Sequence, residues 1–505
     1  MPDLLTQPAT DLLALLASNK LSALELANQH IARIEHLNPL LNAIVDFNPE
    51  AIRAQALALD NTKTRGPLHG LPLTIKSSIS VKDHLCETGS LLNKGRRPTE
   101  DAETVRRLRN AGALILGTTN CPEFLMAYET DNLLHGRTSN PWDLTRTPGG
   151  SSGGESAAIA AGLSAGGLGS DGGGSVRTPA HFTGICALKP TPGRIPTSGH
   201  LPDNTGPFAL LGTIGPMART MADVALLFRV LSGPLDRNSI NPDPIAAPVP
   251  YQTLSPEAVK HTRIGYLEDD GLVPVTAETR QAVQDAVHSL RRHGFHVEPY
   301  RPASLERARQ LWYTFFVRCG AMLLEPLART KLSALTNEAA LSQPSALSPT
   351  FLDFLSIAHT QPPLTANELL DAWCETDLVR SQLLAEMRDF PILLSPVCSI
   401  PAFRHGERAW TIHNTAFSNL GPNHDRQPSP SAQDLAYLDA MRFTQWFNLL
   451  GSPATVVPIA HSAEGLPIGL QLAGRPYADE LVLAIASLLE QDFGYTPPPT
   501  LSTTS

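Results

Sequence analysis

The sequence predicts an α/β protein: one large α/β/α domain with a mixed, partly parallel central sheet covered by helices. Three observations predict it. Apolar runs of strand length alternate with amphipathic runs of helix length along most of the 505 residues, the pattern that lays helices over a sheet. The strand-like run "LPLTI" is almost continuously apolar, and "ALILGTT" opens on four apolar residues, as strands buried on both faces do. The alternation resumes beyond a proline-rich stretch, with no internal repeat and no change of pattern, so one domain is expected.

Residues 1–65 read as helical. "TDLLALLASNKLSALELANQHIARIEHLN" places leucines at helical spacing and fits two amphipathic helices, with Asn38-Pro39 as their stop. Residues 66–232 form a first core block. In it "LPLTI" is a buried strand ending at Lys76, "DAETVRRLRNAGALILGTTN" a helix, a glycine turn and a strand, "ICALKPT" a strand, "GTIGPMART" a turn and "MADVALLFRVLSG" a helix. Residues 233–262 begin with "GPLDRNSINPDPIAAPVP", a proline-rich surface connection. Residues 263–495 complete the core, with "HTRIGYLED", "PATVVPIA" and "LPIGLQLAG" as strands and "TAETRQAVQDAVHSLRRHG" and "DELVLAIASLLEQ" as helices. Residues 303–390 are mainly helical and apolar, "LWYTFFVRCGAMLLEPL" above all.

Composition excludes several classes. A formal net charge of -9 without a long basic run argues against nucleic acid or an anionic membrane as partner. The six cysteines are scattered with no CxxC pair, so neither a disulfide framework nor a thiolate metal site is expected. Buried thiols in a reducing, cytoplasmic setting are. "MPDLLTQPATDLLALLASNK" carries acids before its apolar run and reads as a helix, not a signal peptide. No apolar run is long enough for a membrane span.

The segment "TPGGSSGGESAAIAAGLSAGGLGSDGGGSVRTP", residues 147–179, concentrates glycine and serine between apolar blocks and allows three readings. Gly167–Gly172 match GxGxxG, but a dinucleotide site needs a helix opening inside the motif, and the glycines and proline of "GGSVRTPAHFTG" oppose one. Gly149–Gly153 match GxSxG, the nucleophile elbow of α/β-hydrolases, with His405, His413, His424 and His461 downstream. That reading leaves the second glycine cluster and its serine unexplained. The third joins both clusters to the lysine of "LTIKSS". A serine hydroxyl needs a base to become a nucleophile. A buried lysine can be that base, because burial favours its neutral form. A second serine can relay the proton, and consecutive glycine N–H groups can bind the developing oxyanion. Lys76, Ser151 and Ser175 fit these roles.

The pattern resembles the amidase signature family, whose hallmark is GGSSGG followed by a D-x-GGS-[IV]-R loop. Here "GGSSGGESA" spans residues 149–157 and "DGGGSVRTPA" residues 171–180. The resemblance extends through "GPLHGLPLTIK", "AGALILGTTNCPEF", "GRTSNPWD", "ICALKPTPGRIP", "GTIGPMART" and "EGLPIGLQLAGRPYADE", and it is weakest over residues 233–450. It implies the amidase signature fold and a serine amidohydrolase without cofactor or metal. Ser175 would be the nucleophile, Ser151 the relay after a cis peptide bond, and Lys76 the general base. Backbone N–H groups of Gly172, Gly173, Gly174 and Ser175 would form the oxyanion hole. Ser152, Asp171 and Arg177 are expected to support the site, the last two by holding the loop. None of the sixteen histidines is required. The sequence departs from the family at Gly172, where members commonly carry Ile or Thr, so a looser oxyanion loop is expected.

"NCPEFLMAYETDNLLHGRTSNPWD" resembles the aryl and fatty-acyl amide hydrolase branch more than the glutaminase component of a tRNA-dependent amidotransferase. Leu125, Met126 and Tyr128 fall where the family lines its acyl pocket, although core packing explains such residues nearly as well. For Trp312, Phe315 and Phe316 packing is the favoured reading. The expected function is hydrolysis of small apolar or aromatic amides to acid plus ammonia or amine. The expected partners are the amide itself and at most a second copy in a homodimer.

Overall fold

The structure is a computed structural model describing residues 3–234, 246–247, 249–335, 346–412 and 432–499. Thirteen strands are found among them: β1 (Ile44–Phe47), β2 (Pro72–Lys76), β3 (Leu114–Thr119), β4 (Gly166–Asp171), β5 (Cys186–Lys189), β6 (Thr213–Ala218), β7 (Arg263–Tyr266), β8 (His296–Pro299), β9 (Ile392–Pro396), β10 (Ala409–Ile412), β11 (Gln433–Ala436), β12 (Ala454–His461) and β13 (Pro467–Gly474). Eleven form one sheet in the order β1-β3-β2-β4-β6-β5-β12-β13-β9-β7-β8, and β10 with β11 makes a separate hairpin. The sheet is mixed. β2 runs parallel to β3 and β4, and β7 to β8 and β9. β6 opposes β4 and β5, and β12 opposes β5 and β13. Strands from both ends of the chain thus share one sheet, and helices cover it: the predicted α/β architecture.

Alternation along β2 sets up the site. Leu73 and Ile75 are fully buried among Leu16, Val105, Leu108 and Leu168. Thr74 and Lys76 therefore project to the opposite face, where helix α5 (Gly153–Ala160) lies. Before α5 come α1 (Ala9–Ala17), α2 (Ala23–Leu41), α3 (Pro49–Asp60) and α4 (Glu103–Asn110). After it come α6 (Arg177–Thr183), α7 (Pro207–Leu211) and α8 (Met221–Leu231).

Most expected elements are present, and three expectations are corrected. Asn38-Pro39 does not stop α2, which runs to Leu41 with Pro39 inside its last turn. The end is set by Asn38, whose side chain accepts the N–H groups of Ala43 and Ile44, and by Asn42 in the left-handed conformation. "GTIGPMART" is not a turn but β6, held between β4 and β5; its glycine and proline yield to pairing on both sides. "GGSVRTPAHFTG" does contain a helix, α6, whose Pro179 sits in the first turn, where no intrahelical N–H bond is lost. The glycine-serine stretch is accordingly ordered, as α5, β4 and α6 joined by short loops. Of the proline-rich connection, residues 235–245 and 248 lie outside the described residues.

Five cysteines are buried, but Cys374 is exposed on the helix Ala366–Glu386, contrary to the expectation for all six. Among the described residues no helix is long and apolar enough to cross a membrane.

Candidate active site

Four elements converge on one point. β2 delivers Lys76 at its C-terminal end. The turn before α5 delivers Ser151 and Ser152, with a cis peptide bond between Gly150 and Ser151. β4 ends in Ser170 and Asp171, and the loop to α6 carries Gly172 to Ser175. Lys76 is fully buried, its Nζ 2.6 Å from Ser151 Oγ, 3.0 Å from Ser152 Oγ and 3.1 Å from Ser170 Oγ. Neutral hydroxyls surround the amine, and burial pulls its pKa down from 10.5 to about 8. The nearby Cys121, Asp171 and Glu155 oppose that shift only in part. An amine in this state is a competent base near neutrality. Ser151 and Ser175 line the same cavity as Ser170 and Gly172.

The glycine loop is clamped rather than loose. Asp171 accepts the N–H of Gly174 at 2.7 Å and of Val176 at 3.1 Å, and two guanidinium N–H groups of Arg177 at 3.0 Å each. Asn448 Nδ2 adds a further donor to it at 2.9 Å. Both partners of the Asp171–Arg177 pair have side chains closed to solvent, and the guanidinium charge holds the Asp171 carboxyl well below the usual carboxylate range. From the other side, Trp312 Nε1 donates to the Gly172 carbonyl at 2.9 Å. Tyr128 and Thr444 hydroxyls donate to the Gly173 carbonyl at 2.8 and 2.7 Å. Fixing these carbonyls fixes the peptide planes, and with them the N–H groups on their far edges. The expectation of a slack loop at Gly172 is therefore corrected.

A second correction concerns the oxyanion hole. The Gly174 N–H is committed to Asp171, so it is not available to substrate. Among the described residues nothing accepts from the N–H groups of Gly172, Gly173 or Ser175. Gly174 is required by conformation, at φ 124 with Thr444 Oγ1 where a Cβ would be.

Two cavities meet at Ser175. The smaller, about 50 Å³, is walled by Ser151, Ser170, Thr197, His200, Asn204 and Phe208 among others. The larger, about 450 Å³, is walled mainly by apolar and aromatic side chains, Tyr128, Trp312, Val317, Phe354 and Tyr437. Leu125, Met126, Ser175 and Phe316 border both. Leu125 reaches this border after Phe124, the two having consecutive positive φ values of 69 and 49, a strained arrangement usual at functional sites. Phe316 stacks on Trp312 with centroids 4.9 Å apart, whereas Phe315 turns away onto Trp373. Of the three aromatics, only Phe315 is pure packing.

Sequence reasoning missed Ser170, Thr444 and Asn448, which carry no motif, and His200, which faces the small cavity. It also missed Glu155 under the lysine. Burial raises the Glu155 carboxyl to about 8, and it bonds to the Thr74 and Thr119 hydroxyls at 2.6 and 2.8 Å. A lone acid in the apolar run "ESAAIAAGL" was the available signal. The elbow reading is excluded, because no strand leads into Gly149–Gly153. His405 and His461 line neither cavity, and His413 and His424 lie outside the described residues.

A sheet-based fold that brings a buried lysine, two serines and a glycine loop together defines a hydrolase of the amidase type. The chain belongs to the amidase signature family: the family model Amidase matches residues 25–483. Indoleacetamide hydrolase of Bradyrhizobium diazoefficiens is 33% identical over 500 residues, 96% of this chain and 86% of that protein. A glutamyl-tRNA(Gln) amidotransferase component of a Synechococcus species is 32% identical over 94% of each chain. The solved structure of 6-aminohexanoate cyclic dimer hydrolase complexed with substrate superposes with a TM-score of 0.81 at 26% identity, covering 99% of this chain and 100% of that one.

Proposed function

We propose that this protein is a serine amidase that cleaves the C–N bond of small apolar or aromatic carboxylic acid amides through an acyl-enzyme on Ser175. One observation carries the reading: a buried lysine with its pKa lowered to about 8 stands 2.6 Å from Ser151, which faces the same cavity as Ser175. In the forward step Ser175 Oγ attacks the carbonyl carbon, its proton passes to Ser151, and the Ser151 proton passes to Lys76. The negative oxygen is received by the N–H groups of Gly172, Gly173 and Ser175, each such donor contributing about 3–4 kcal/mol in comparable sites. The lysine then returns a proton through Ser151 to the amide nitrogen, the C–N bond breaks, and ammonia or an amine leaves. Water, deprotonated by the same relay, releases the acid. The apolar walls of the larger cavity support an apolar acyl group.

The glutaminase reading has the 32% identical amidotransferase component in its favour. Ammonia release from glutamine by the isolated chain, measured beside release from phenylacetamide, separates the two. Intact mass after treatment with a small fluorophosphonate tests the chemistry: one adduct on wild type, absent in Ser175→Ala, is expected. No adduct on folded wild type refutes the assignment.

A further inference from the structure

Phe316 occupies the space that a side chain at position 172 would fill. A Cβ built on Gly172 would meet Phe316 Cε2 at 2.7 Å. The ring is held there from two sides, stacked on Trp312 at 4.9 Å and met edge-on by Phe208 at 6.1 Å. It borders both cavities at Ser175, as Leu125 and Met126 do. The cavities are unequal. One of about 50 Å³ accommodates ammonia or a short alkyl amine but no aryl ring, since a single water already needs roughly 10–15 Å³. The other, about 450 Å³, takes an aryl or extended acyl group.

Chemistry decides which end of the substrate goes where. The leaving nitrogen must receive its proton from Ser151, so it has to lie on the side that Ser151 faces. Ser151 and Ser170 line the small cavity and not the large one. The acyl group is left with the large cavity.

We propose that Phe316, seated on the bare Cα of Gly172, is a specificity-determining partition that confines the leaving group to the small cavity and makes this chain selective for primary amides carrying bulky apolar acyl groups. The inference rests on the amidase reading above and adds the leaving-group limit to it.

The test compares kcat/KM for phenylacetamide and its N-phenyl derivative in wild type, Phe316→Ala and Phe316→Leu. A ratio of two substrates on one preparation cancels any loss of correctly folded protein. Wild type is expected to favour the primary amide at least 100-fold. Phe316→Ala should bring the ratio below about 10-fold by gaining on the N-phenyl substrate, with Phe316→Leu between. A wild-type ratio already below 10, or a ratio unchanged in both variants, overturns the partition and leaves the amidase reading standing. Loss of turnover on both substrates, with no fluorophosphonate adduct on wild type, overturns the amidase reading and the partition with it.

Discussion

The indole Nε1 of Trp312 donates a 2.9 Å hydrogen bond to the carbonyl of Gly172, 140 residues earlier in the chain. The peptide plane it fixes carries the Gly173 N–H on its other edge, one of the three uncommitted donors of the loop. Trp312→Phe keeps the stacking on Phe316 but loses this bond. We expect kcat to fall roughly tenfold, about 1.4 kcal/mol, with KM changed less than threefold. Equal losses in kcat and 1/KM would mean that Trp312 only shapes the acyl cavity.

Lys76 should govern the pH dependence of the reaction. With its pKa drawn down to about 8 by burial, kcat/KM is expected to rise with pH and level off above about 8. Lys76→Ala should lower turnover by at least three orders of magnitude at neutral pH. Near-normal turnover in that variant would remove the lysine from the base role.

Lys76 and Glu155 should give stability opposite slopes against pH. Between about 8 and 10.5 the unfolded chain holds a proton on Lys76 that the native protein lacks, so wild-type stability gains up to about 3 kcal/mol over that window. Lys76→Met abolishes the gain. Glu155 is raised from 4.5 to about 8, so between those values the native protein holds the extra proton and stability falls as pH rises. Glu155→Gln abolishes that fall. Urea unfolding of each variant across pH 5–10 measures both slopes.

Breaking the loop clamp should be costly. Asp171 and Arg177 are both closed to solvent and hydrogen-bonded to one another. Asp171→Asn leaves a buried guanidinium without its counter-charge, and we expect a loss of about 3–5 kcal/mol together with most activity. Gly174→Ala should destabilise by about 2 kcal/mol or more, since φ 124 and the Thr444 hydroxyl both oppose a Cβ there. Thermal melts of the two variants check both figures.

The lysine and both serines were legible because each sits in a short segment with its own pattern: an apolar strand that ends in Lys76, and glycine clusters that frame Ser151 and Ser175. What surrounds them was not. Thr444, Asn448 and Ser170 are ordinary polar residues whose only significance is the carbonyl, carboxylate or amine they reach through space. Trp312 and Phe316 sit in an apolar helical run whose periodicity describes packing equally well, and the wide π-type turn over Tyr313–Cys319 that carries Phe316 leaves no periodic signature. Gly174 reads as an oxyanion donor in the sequence, and only the fold shows the Asp171 carboxylate claiming its N–H. The glycine and proline of β6 suggested a turn because local preference is overridden when both edges of a strand are paired.

The lysine and serines of the candidate site and the helical wall of the larger cavity come from different lengths of chain. Lys76, Ser151, Ser170, Asp171 and Ser175 lie within 72–177, on strands and turns of the sheet. Trp312, Phe316, Val317, Phe354 and Ile357 lie within 305–358, in helices between β8 and β9. Heritable change in the helical wall can therefore be confined to one stretch of coding sequence, whereas the wall made by Leu125, Met126 and Tyr128 changes only within the stretch that carries the lysine and serines. The indole on the Gly172 carbonyl ties the two stretches together, as do the Ser348 N–H on the Glu123 carboxyl and the Phe124–Phe351 ring pair, so a recombinant that exchanges the helical stretch should keep its turnover only when it imports equivalent contacts.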